Sequence, residues 1–230
     1  MPCTRVTAVI HAHFGGAEQG NSIADILYGD VNPSGRLPYT IAKQRSDYSA
    51  DVQYFTSPDT DKSQIYYSEK LNVDYRHFDA KNIQPRFEFG FGLSYTKFDY
   101  SSLRGNWLNG SSANENWNER EWSLPLPDWL FEDVYEISFE IKNTGDRDGY
   151  EVPQVYLGFP TQAGEPPKVL RKFDRYPIKT GQTKRISYRL NRYDLSIWDS
   201  ASSRWSKPEG DYSLFVGASS RDIRLTKKKL

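Results

Sequence analysis

Two hydrophobic periods divide this sequence, and no single layer type accommodates both. From Val134 onward, Ile137, Phe139 and Ile141 include an alternating stretch that stops at the turn signal NTGDRDG. Val152, Val155 and Leu157 mark a second strand, KRISYRL a third, DYSLFVGASS a fourth, and DIRL adds a fifth. Short strands separated by turn residues predict an all-β antiparallel sandwich over residues 133–230.

The first hundred residues follow another rule. Val6 to Phe14 is an apolar, β-branched run, the pattern of a strand covered on both faces in a parallel sheet. Gly15 and Gly16 then permit a tight turn. From Ala17 to Tyr28 the residues Ile23, Ile26 and Leu27 fall at helical spacing, and Gly29 stands where a helix ends. This predicts an α/β partial sandwich domain of parallel strand–helix elements over residues 1–103.

A dinucleotide turn needs G-x-G-x-x-G, but the order here is Gly15, Gly16 and Gly20. Glu18 also puts a negative charge where a pyrophosphate would lie. The glycines are therefore read as packing. Beyond them, Asn32, Pro33, Ser34 and Gly35 form a turn, and Leu37, Tyr39 and Ile41 an extended run. Asp47 to Glu69 is polar and aperiodic and reads as a long surface loop. Residues 104–132 read as a linker or an ordered surface strap, stiffened by LPLPD. Within it Asn109, Gly110 and Ser111 form a glycosylation sequon, relevant to a secreted protein.

Lys plus Arg and Asp plus Glu both number 30, so no net field draws the chain to nucleic acid or to an anionic membrane. No apolar run approaches the roughly 20 residues that span a bilayer. The single Cys3 excludes an intramolecular disulfide and a cysteine zinc site. The 16 Tyr, 12 Phe and 6 Trp suit half-buried strands and also stacking on sugar rings. No signal-like leader precedes Val6, and a strand starting so early is what a sequence cut from a longer parent would show.

GGAEQGNSIADILYGDVNPSGRLPYT, YRHFD and FEFGFGLSYTKFDYSSL, in this order, resemble the end of the α/β sandwich domain of glycoside hydrolase family 3, particularly its fungal β-glucosidases. IKNTGDRDGYEVPQVYLGFP, EPPKVLRKFDRYPIKTGQTKRISYRLNRYDLSIWD and EGDYSLFVGASSRDIRL are similar to the fibronectin type III-like domain that follows it. The expected architecture is thus the partial α/β domain followed by an all-β immunoglobulin/fibronectin type III-like sandwich.

The resemblance implies a retaining exo-glycosidase parent that removes terminal β-D-glucose from cellobiose or other β-glucosides without a cofactor, extracellular by family analogy. It also implies an Asp nucleophile on a preceding barrel and a Glu acid/base upstream of the matched region. No position here inherits those roles, so β-glucoside is a partner only alongside that barrel, and the chain alone is expected to be catalytically silent. Its alternative role is an accessory carbohydrate-binding or domain-packing module.

No residue is assigned a catalytic, substrate-binding or metal role. Glu18 reads as a helix-start carboxylate and Asp25 as a solvated or hydrogen-bonded helix residue. His11 and His13 share one face of the expected strand, the arrangement of a metal pair, but no third ligand is indicated. His77 falls in an expected loop. Tyr66, Tyr67, Tyr75 and Arg76 either pack or border a sugar pocket in a complete enzyme. The sequence contains no GxSxG elbow.

Overall fold

The computed structural model describes residues 6–52, 65–108 and 110–230. Among the described residues, the first block holds two α-helices, α1 (Gln19–Tyr28) and α2 (Tyr75–Ala80). α1 follows its predicted spacing and ends at Gly29, whose left-handed φ of 83° sends its N–H back to Ile26 O. Val6 to Phe14 departs from expectation, because it forms no strand and each of its residues is exposed. An apolar run becomes a buried parallel strand only between neighbours that hydrogen-bond to it, and none is present among the described residues. Leu37 N–H to Phe91 O and Ile41 N–H to Phe87 O, both 2.8 Å, pin the extended run instead. His77, expected in a loop, lies in α2.

The remainder is a sandwich. Its strands are β1 (Phe98–Trp107), β2 (Asp133–Asn143), β3 (Gly149–Glu151), β4 (Gln154–Gly158), β5 (Val169–Phe173) and β6 (Tyr176–Ile178). They continue with β7 (Thr183–Asn191), β8 (Ile197–Asp199), β9 (Arg204–Ser206), β10 (Ser213–Gly217) and β11 (Ile223–Lys228). One sheet runs β1-β2-β7 and the facing one β11-β10-β4-β5, all antiparallel, with β3-β6 and β8-β9 as separate pairs. The core lies between the sheets, where Ile137, Phe139 and Ile141 of β2 join Val155, Leu157, Ile186, Leu214 and Val216 in one cluster. Period-two alternation generates that inner face, as expected.

The division at residue 103 is corrected. β1 pairs with β2 from Phe98↔Asn143 to Trp107↔Tyr135, so a boundary after Leu103 would cut one strand. Phe98 is buried in the sandwich core, and Tyr100 and Leu103 pack against it. The aromatic density assigned to the end of the first block therefore belongs to the sandwich.

The segment after β1 is the ordered strap. Trp117 is its plug: the ring is fully buried, and its indole N–H donates to Ser196 Oγ at 3.1 Å. The Lys207 ammonium lies 4.7 Å from the ring centroid, and burial draws its pKa down. Arg192 holds the strap by donating to the Glu115 carboxylate at 2.9 Å, to the Glu132 carboxylate at 2.6 Å and to the Trp129 backbone carbonyl at 3.0 Å. Trp117→Ala leaves a cavity that two fixed cations border, and we expect a loss of about 3–5 kcal/mol. Urea unfolding of the variant measures it, and a loss below about 1 kcal/mol would mean that the strap is merely draped over the surface.

Candidate functional site

The two blocks meet on the outer face of β4. All five β4 residues are buried. Val155 and Leu157 face the sandwich core, while Tyr156 meets the first block, with its ring centroid 6.0 Å from that of Tyr75. Tyr75 in turn stacks on Phe89 at 4.6 Å, and its hydroxyl accepts the Leu170 N–H at 2.9 Å. Gln154 completes the joint. Its Nε2 donates to Gly90 O at 3.1 Å and to Ala218 O at 2.8 Å, and its Oε1 accepts from the Tyr156 hydroxyl at 2.5 Å. Gly90 has φ 78°, and a Cβ there would lie 2.1 Å from Gln154 Oε1, so both the turn and the close approach require glycine.

Beside this joint a cleft of about 850 Å³ is lined by Arg36, Glu88, Tyr100, Glu151, Asp222 and Arg224, among other residues. Arg36 follows the predicted Asn-Pro-Ser-Gly turn. Its Nη2 donates to Glu151 Oε1 at 2.9 Å and its Nη1 to Gly92 O at 2.5 Å. Glu151, at the end of β3 and only 2% exposed, also accepts from the Tyr100 hydroxyl at 2.8 Å on the same oxygen. Burial first, and then the Glu151 carboxylate, hold the Tyr100 phenol well above its ordinary pKa. On the other side of the joint, Asp79 of α2 pairs with Lys168 and, at 2.7 Å, with Arg221 Nε.

Retaining glycoside cleavage needs two carboxyl groups about 5 to 5.5 Å apart, one free to attack and one free to donate a proton. Four of the acids beside this joint are otherwise engaged. Glu151 is held by Arg36 and Tyr100, Glu88 accepts from Ser219 Oγ at 2.7 Å, Asp222 pairs with Arg224, and Asp79 bridges two cations. Through Glu151, Glu88 and Asp79 that chemistry is a latch between blocks.

The residues singled out in the sequence are scattered. Glu18 occupies the N-cap of α1, makes no capping bond, and accepts from Asn21 Nδ2 at 2.5 Å. Asp25 is exposed on α1. The rings of His11 and His13 stand 4.3 Å apart, with His11 Nε2 2.6 Å from the Tyr39 hydroxyl. No group of three metal-ligating side chains occurs among the described residues. His77 Nε2 lies 3.1 Å from Asp47 O. Tyr66 and Tyr67 are exposed, whereas Tyr75 packs at the joint and Arg76 lies 5.7 Å from its ring. Asn109 falls outside the described residues.

Sequence reasoning missed Arg36, Asp79, Glu151, Gln154 and Arg221. The available signal was a polar residue inside an otherwise apolar strand, as in the EVPQVYLG segment, which calls for a partner on whatever covers that face.

Residues 1–95 match the glycosyl hydrolase family 3 C-terminal domain, and residues 151–220 match a fibronectin type III-like domain. This chain is a family 3 C-terminal domain joined to a fibronectin type III-like domain. A probable β-glucosidase G of Aspergillus terreus is 49% identical over 224 residues, covering 95% of this chain and 27% of that relative. The structure of a β-D-glucoside glucohydrolase from Trichoderma reesei superposes with a TM-score of 0.81 at 42% identity, over 92% of this chain and 28% of that one. For β-glucosidase D2-BGL of Chaetomella raphigera the TM-score is 0.79 at 47% identity, over 93% and 28%. The chain thus spans about a quarter of the length of the relatives it matches.

Two predictions follow from the joint between the family 3 domain and the sandwich. Glu151→Gln strands the Arg36 charge, whose side chain is 13% exposed, so we expect a loss of about 3–5 kcal/mol. Arg36→Met combined with Glu151→Leu should cost less than the two single changes together; strict additivity in a denaturant double-mutant cycle would refute the coupling. The second concerns alkali. Burial pushes Tyr135 up to about 12 and is the leading cause that raises Tyr100, Tyr156, Tyr188 and Tyr212. In the unfolded chain these phenols ionise at about 10. Their contribution to stability is complete below that value and is lost as pH climbs toward the raised folded values. Tyrosinate absorbance should therefore show a late step that coincides with unfolding, whereas complete titration near 10 in a folded chain would contradict this.

Proposed function

We propose that this chain serves as the C-terminal, non-barrel end of a secreted β-glucosidase that removes terminal β-D-glucose from cellobiose and related β-glucosides with retention, and so acts in cellulose breakdown. The observation that carries this reading is the 95% coverage of this chain by relatives named β-glucosidase, of which it spans only 27%. The nucleophile and the acid/base are supplied by segments outside this sequence, and no cofactor takes part. Nucleic acid and membranes are not partners, and the Asn109 sequon is glycosylated in the secreted form.

Within such an enzyme the chain does mechanical work. A transition state stabilised by two carboxylates tolerates little displacement, since a misplacement of about 1 Å can cost roughly a hundredfold in rate. The Tyr75 stack and the Arg36 and Asp79 ion pairs fix the family 3 domain on a rigid sandwich. A purified sample of this chain is expected to leave an aryl β-glucoside intact. Placed in the Trichoderma reesei enzyme in exchange for the corresponding region, it is expected to support cellobiose hydrolysis. Turnover by the isolated chain that point changes within it abolish, or a folded but inert chimera, would overturn the proposal.

A further inference from the structure

Five aromatic rings form a continuous row on the sandwich. Trp122 of the strap, Trp198 of β8, Trp205 of β9, Tyr193 and Phe131 have consecutive centroids 6.5, 5.8, 4.5 and 5.7 Å apart. None belongs to the cluster that builds the core. Trp198 and Phe131 are 49% and 47% exposed, and the other three are half-buried. The fold thus keeps five large rings partly in water.

The polar atoms of the row narrow what it meets. The indole N–H groups of Trp122, Trp198 and Trp205 donate to no described residue, in contrast to Trp117, bonded to Ser196, and Trp129, bonded to Glu121 O. Charges of both signs stand on the same hairpin, with Arg204 6.0 Å from the Trp122 ring and Asp199 opposite Arg204 in the β8–β9 pair. An apolar protein patch would leave those N–H groups buried without acceptors, which costs their full desolvation. An anionic surface would find no excess of positive charge. A neutral polyhydroxyl ring answers both features, because its C–H face stacks on an aromatic plane and its hydroxyls accept from the indoles.

We propose that this row is a non-catalytic binding surface for a single soluble β-glucan chain. The choice of β-linked glucose rests on the function proposed above, whereas the fit to a neutral sugar polymer rests on the rings. Neighbouring planes from Trp122 to Tyr193 are turned by 63°, 72° and 59°, so they form no flat platform. The surface therefore suits a twisted single chain rather than a crystalline cellulose face.

The test is native electrophoresis of the full 230-residue chain through gels containing soluble mixed-linkage β-glucan, with a microcrystalline cellulose pull-down alongside. We expect retardation of the unchanged chain and of Tyr28→Ala, an 86% exposed aromatic outside the row, with little cellulose retention. Trp198→Ala should bind roughly tenfold more weakly, equivalent to about 1.4 kcal/mol, with an unchanged thermal transition. Phe131→Ala provides an independent variant at the other end of the row, and a shift in tryptophan emission on adding cello-oligosaccharides reads binding without any substitution. The assignment is overturned by no retardation and no emission shift, by retardation that survives both substitutions, or by self-association of the chain that Trp198→Ala abolishes. Because no step here requires hydrolysis, failure of binding is distinguishable from failure of the chimera.

Discussion

The structure depends on a strand that has no wet face. In an antiparallel sandwich one side of each strand normally meets the core and the other meets water. β4 instead buries Gln154 and Tyr156 as completely as Val155 and Leu157. The Tyr156 ring and the Gln154 amide therefore need a lid, which is supplied by Tyr75, Phe89 and the Gly90 carbonyl. An aromatic contact of this kind adds about 0.5–1.5 kcal/mol beyond area burial. The larger consequence is geometric, because the amide satisfies its partners in only one relative placement of the two blocks.

The ion pairs beside this lid follow the same logic. Removing charges from water costs several kcal/mol per ion, so Arg36 with Glu151, and Asp79 with Lys168 and Arg221, are weak evidence for stability as such. They are strong evidence for register. Each pair joins a residue of the first block to one of the sandwich, and a slip of either block would leave a charge buried and unpaired. Apolar packing alone tolerates sliding; this arrangement does not.

What could be read from the sequence depended on whether the governing forces were local. α1 and its Gly29 stop, and the alternating strands of the sandwich, follow from periods of 3.6 and 2 that a few residues suffice to define. Three features escaped for one reason. Val6 to Phe14 needs hydrogen-bonding neighbours to become a strand, Trp117 takes its buried place from Ser196 and Lys207, and Phe98 to Leu103 are claimed by pairing with β2. The latch was equally illegible, since Arg36 and Glu151 lie 115 positions apart. The long composite motifs could still be matched to a family, because such a resemblance carries tertiary information that no window of the chain contains.

The two blocks differ in how they are held. α1 buries none of its residues and makes one turn fewer than an isolated helix of about 12–15 residues needs to be even marginally stable in water. Leu27, Tyr28 and Phe14 present apolar surface of the kind that marks an interaction face rather than a finished exterior. The sandwich, with seven strands in two facing sheets and a plugged strap, closes a core of its own. Its outer β4 face and its ion pairs then impose order on a neighbour that has little internal packing. The larger buried core therefore belongs to the sandwich, and the family 3 domain is fixed to it through Tyr75, Arg36 and Asp79.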